Sequence, residues 1–60
     1  FTPTEIKVAT MVKQGRKARE IARMLGISTR TVEGYRYAIR DRLGIKGKKV
    51  NLRTYLLSIQ

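Results

Sequence analysis

The sequence predicts an all-α domain of four short helices. Apolar residues recur at intervals of three and four, and nowhere do they alternate long enough for a strand. Good helix-starting residues stand before these runs and glycines stand after them. Sixty residues with 42% apolar content allow one small core and one domain. A chain of this size buries only about 60% of the surface its unfolded form exposes, so its stability is marginal.

The first helix is expected over residues 3–14. Thr2 can cap it, Pro3 suits the first helical position, and Glu5 can close a capping box. Glu5, Val8, Ala9 and Val12 share one face, which Met11 widens, and Gly15 provides a left-handed end. The second helix, residues 18–25, buries Ile21, Ala22 and Leu25 and ends at Gly26. Its start is poorly signalled: Lys17 stands where Ser or Thr would cap, at a cost on the order of 1 kcal/mol. The third helix, residues 29–43, has Ser28 as its cap and Ile27 as a hydrophobic staple. Val32, Ile39 and Leu43 line its inner side and Gly44 closes it. After a loop in which Ile45 can plug the core, the fourth helix is expected over residues 48–58. Asn51 is an equally good cap on local grounds. Leu52, Tyr55, Leu56 and Ile59 form its apolar stripe.

Charge narrows the function. Fourteen Lys and Arg oppose four acids, for a net charge of +10. Self-repulsion on that scale weakens a small fold, and a polyanionic partner accounts for it, nucleic acid before an anionic membrane. There is no cysteine and no histidine, which excludes a disulfide framework, the usual zinc sites and a histidine switch. No apolar run reaches the ~18 residues of a membrane span. Catalysis is not expected, because the serines lack a histidine, the four acids are scattered and no glycine-rich phosphate loop is present. Neither a metal nor a cofactor is expected.

The middle of the chain carries a specific constellation. Ala22, Gly26 and Val32 suit a helix-turn-helix: a small residue at the crossing, a glycine in the turn, and an aliphatic wedge between the two helices. Successive helical residues turn by about 100°, so with Val32 inward Ile39 and Leu43 fall within roughly 20° of it. Arg30, Gly34, Tyr37 and Asp41 then fall within about 40° of the opposite pole. The N-terminal part of a recognition helix reads bases, making Arg30, Glu33, Gly34 and Tyr37 the base-contact candidates. Arginine can take guanine O6 and N7, Glu33 can accept from cytosine N4, and Tyr37 can touch a thymine methyl or a phosphate. Gly34 allows close approach of the backbone.

Phosphate-contact candidates surround this strip. Arg16, Lys17 and Arg19 stand where the motif's first helix crosses the sugar–phosphate backbone. Thr29, Thr31, Tyr35, Arg36 and Arg40 flank the third helix, Arg36 with its stem near the core edge, and Lys46 and Lys48 form a later basic cluster. Helix 4 carries more apolar surface than a three-helix core needs. Leu52, Tyr55, Leu56 and Ile59 are therefore candidates for a two-fold dimer, which would space two recognition helices one DNA turn apart.

Phe1-Thr2-Pro3-Thr4-Glu5, Gly15, Glu20-Ile21-Ala22, Leu25-Gly26-Ile27-Ser28, Thr31-Val32-Glu33 and Arg42-Leu43-Gly44-Ile45 together resemble the LuxR/FixJ (GerE-like) helix-turn-helix domain. The resemblance covers essentially the whole chain. It implies a four-helix DNA-binding domain forming the C-terminal part of a longer, bacterial-type cytoplasmic regulator associated with the nucleoid. It further implies base readers at Glu33, Gly34 and Tyr37 and dimerisation through the fourth helix, at least on DNA, with RNA polymerase as a further partner. Departures occur at Lys17, where the family has Ser or Thr, and at Gly47, where Ser or Asn is usual. They occur also at Tyr35, often His, and at Glu33, often Lys. The target sequence of relatives therefore does not transfer. A sigma-factor-like promoter reader is the alternative within the same chemistry, and the helix 4 stripe weighs against it. A cationic membrane-surface module is opposed by the capped turns and the small Ala22. An RNA-binding reading rests only on Gly44-Ile45-Lys46-Gly47, a loop-like pattern without the strands it needs.

Overall fold

A computed structural model describes residues 1–59, which form four helices and no strand: α1 (Pro3–Lys13), α2 (Ala18–Leu25), α3 (Thr29–Arg42) and α4 (Leu52–Ser58). α3 packs on both α1 and α2, and α4 packs on α1. The all-α expectation holds, and the first three helices end within one residue of their predicted bounds.

Local chemistry starts α1 and α3. The Glu5 N–H donates to Thr2 Oγ1 at 3.2 Å and the Thr2 N–H donates to Glu5 Oε1 at 2.9 Å, completing the capping box. Ser28 Oγ accepts from the Thr31 N–H at 3.1 Å, opening α3. No side chain caps α2, as Lys17 predicts. Gly26 turns the chain from α2 to α3 at φ +68°, a conformation that a Cβ penalises. The Ile27 N–H then reaches back to the Ala22 carbonyl at 3.0 Å, the hydrogen bond expected of a left-handed helix end.

The fourth helix starts later than expected, at Leu52 rather than Lys48. Gly47 takes φ +77°, and the Lys48 and Val50 carbonyls are turned toward Arg40, so this stretch cannot enter a helix. Asn51 is the cap: its Oδ1 accepts from the Thr54 N–H at 3.0 Å. α4 is thus one turn shorter, and Lys48 and Lys49 lie in the loop before it.

The core collects one face from every helix. Val8, Ile21, Val32 and Ile39 are fully buried; Val12, Ala22, Ile45, Leu52 and Leu56 complete it. Ile45 enters from the α3–α4 loop, as expected. Truncating a buried Ile to Ala costs about 2–5 kcal/mol. A chain of this length has about 3–9 kcal/mol in total, so one such cavity removes a large share of it. Glu5, 7% exposed, is a carboxylate at the core edge. Arg42 lies 3.5 Å from it and also covers the Phe1 ring at 5.8 Å. Donation from the Thr2 N–H, and then the Arg42 charge, hold the Glu5 carboxyl below its ordinary 4.5 despite burial.

Candidate nucleic-acid interface

α2 and α3 form the helix-turn-helix. Ala22, 5% exposed, lets the helices cross closely, and Val32, fully buried, fills the angle between them. With Val32 and Ile39 inward, the far side of α3 faces solvent. Arg30, Glu33, Gly34 and Tyr37 are all exposed, Tyr37 by 54%. A Cβ at Gly34 would meet no atom within 4 Å, so neither packing nor backbone conformation requires glycine there. Tyr35 and Arg36 are half-buried, with Tyr35 packed against the core.

The flanking residues differ in how free they are. Lys17, Arg19, Thr29, Lys46 and Lys48 are exposed. Arg16 is half-buried and donates to Gln14 and to Glu20, each at 3.0 Å. Arg36 Nε lies 3.4 Å from Glu33 Oε1. Thr31 Oγ1 is 2.8 Å from Ser28 Oγ, sharing the cap of α3. Lys46 is brought to the exposed strip by its loop: its ammonium lies 5.1 Å from the centre of the Tyr37 ring. The Tyr37 phenol, then the Asp41 carboxylate, raise the Lys46 pKa above its ordinary 10.5.

Two sets of candidates are engaged within the domain itself. Arg40 is not a free cation. Its guanidinium donates to the Val50 and Lys48 carbonyls, each at 2.7 Å, and ties the α3–α4 loop to α3. Leu52 and Leu56, 2% and 7% exposed, belong to the domain's own core. Periodicity marked them as apolar without telling a core from a partner. Of the α4 dimer candidates only Tyr55, half-buried, and Ile59, 54% exposed, present surface, joined by Leu57 at 48%.

Sequence reasoning missed Arg53. Its Nε donates to the Lys13 carbonyl at 3.1 Å, so α4 carries a guanidinium to the end of α1. A Cβ at Gly15 would stand 3.4 Å from one of its terminal nitrogens, so the two pack closely. Arg53 thereby borders Arg16 and Lys17 at the start of α2 and Arg36 of α3. The net charge of the chain is a sequence signal for such a cluster, but its assembly depends on contacts forty residues apart.

Four helices, a tight glycine turn and a basic face define a helix-turn-helix DNA-binding domain. The chain matches the family described as bacterial regulatory proteins, luxR family (GerE), over residues 1–54, and it belongs to that family. No match was found among curated proteins or solved structures. Among the described residues, no helix is long and apolar enough to cross a membrane.

Proposed function

We propose that this domain binds double-stranded DNA sequence-specifically to regulate transcription, with α3 lying in the major groove. The observation that carries the reading is the exposed strip Arg30, Glu33, Gly34 and Tyr37, opposite the buried Val32–Ile39 side of α3. An α-helix fits the major groove, and these side chains offer a donor fork, an acceptor, a bare backbone and an aromatic to base edges. Lys17, Arg19 and Lys48 meet phosphates beside it, and Thr29 contributes a hydroxyl; Arg16, Arg36, Thr31 and Tyr35 add to them from partly engaged positions. The family's membership of regulatory proteins supports transcription control. The two-fold contact on DNA uses Tyr55, Leu57 and Ile59. In this reading the domain is the C-terminal part of a longer cytoplasmic, nucleoid-associated regulator that also meets RNA polymerase.

Selection of bound oligonucleotides from a random duplex pool tests the reading. The expected result is one enriched sequence with inverted symmetry. A pool that stays random after repeated rounds at modest ionic strength contradicts sequence-specific binding.

A further inference from the structure

Beside the α3 strip lies an open polar cleft of about 440 Å³, bounded by the end of α1, the start of α2, one side of α3 and the start of α4. Four cations line it, Arg16, Lys17, Arg36 and Arg53, against one carboxylate, Glu33. They come from three separate parts of the fold, so their meeting is a product of tertiary packing. Arg16 is matched by Glu20 at 3.0 Å and Arg36 by Glu33 at 3.4 Å. Lys17 and Arg53 have no acidic partner among the described residues.

Arg53 is built for a ligand in an unusual way. Its Nε is committed to the Lys13 carbonyl, which orients the guanidinium plane. Its two terminal amino groups have no acceptor among the described residues. A fork held at one corner has lost much of its rotamer freedom before any partner arrives, which lowers the cost of binding. Gathering like charges in a cleft is unfavourable in the free protein, and an anion there relieves it. Arginine forks and a lysine ammonium lining one cleft offer charge-assisted hydrogen bonds to the oxygens of a phosphate group. Glu33 lines the cleft and directly precedes Gly34, so the cleft opens along the edge of the base-contact strip.

We propose that Arg53 and Lys17, flanked by Arg36 and Arg16, hold a phosphate group in this cleft, and that the DNA backbone supplies it. The inference rests on the DNA-binding reading and adds to it a phosphate contact made by the first turn of α4. That turn thus serves the nucleic acid as well as the core.

The test measures binding of a short mixed-sequence duplex against salt concentration, for the unmodified domain, Arg53→Gln and Lys17→Gln. Nuclear magnetic resonance follows a parallel titration with inorganic phosphate alone. Each substitution is expected to weaken duplex binding about tenfold at low salt and to reduce the salt slope by about 0.9. Phosphate alone is expected to shift the signals of Gly15, Ala18 and the Arg53 side chain before others. A folded Arg53→Gln variant with unmodified affinity and slope overturns the proposal and leaves DNA binding intact. Should Arg53→Gln fail to fold, Arg53→Lys and the phosphate titration decide: unmodified duplex affinity in Arg53→Lys together with phosphate shifts that spare Gly15 and the Arg53 side chain overturns the proposal. A domain that binds no duplex yet shows saturable phosphate shifts confined to the cleft supports the site, names free phosphate as its source and overturns the DNA reading. Absence of both responses overturns both.

Discussion

Arg40 donates to the Val50 carbonyl at 2.7 Å, across ten residues of chain, and to the Lys48 carbonyl at the same distance. A loop with two backbone acceptors turned inward would otherwise leave the start of α4 free to drift. Hydrogen bonds from a charged donor contribute about 1.5–3 kcal/mol when sheltered, and partial exposure lowers this. Arg40→Met is expected to lower the unfolding free energy by about 1–2 kcal/mol in a denaturant titration. Arg40→Lys keeps the charge but cannot span both carbonyls, so it should lose nearly as much. Full stability in Arg40→Lys would show that the charge alone matters.

Lys17 separates stability from binding. It occupies the N-cap of α2 without making a cap. Lys17→Ser should stabilise the free domain by about 1 kcal/mol in thermal unfolding. The same change removes a cation expected at a phosphate, so duplex affinity should fall. Gains in both would remove Lys17 from the interface.

Gly34 offers a second separation. Space around it is open, so Gly34→Ala should add about 1 kcal/mol of helix stability. If α3 approaches the bases closely at this point, the added methyl should weaken binding to the selected sequence. A stabilised variant with unchanged affinity would show that the DNA stays clear of Gly34.

Glu5 predicts an acid dependence. Its folded pKa lies below the ordinary 4.5, so it binds fewer protons folded than unfolded near that value. Its contribution is complete above pH 4.5 and is lost as pH falls through the lower folded value. The melting temperature should therefore decline on acidification through this window, and Glu5→Gln should flatten the decline. Equal slopes for the two proteins would place the acid sensitivity elsewhere.

Much of this architecture is local and was legible for that reason. Thr2, Pro3 and Glu5 mark the start of α1 within four residues, and Ser28 opens α3 within three. The exposed side of α3 followed from helical geometry once Val32 was set inward. What escaped depends on long contacts. Arg40 looked like a surface cation because its acceptors are backbone carbonyls in a loop. Lys48 favours helix, yet the chain there is held out by that same Arg40 bond and by Gly47. Leu52 and Leu56 carried the right period but no sign of which apolar surface they would join. Arg53 finds its acceptor forty residues earlier, beyond the reach of any local pattern.

The most direct measurement compares Arg30→Ala and Tyr37→Ala with the unmodified domain on the selected sequence and on mixed-sequence DNA. Each variant should lose about 1–3 kcal/mol on the selected site and little on mixed DNA, narrowing the ratio between them. Equal losses on both DNAs, or none on either, would contradict the placement of α3 against the bases.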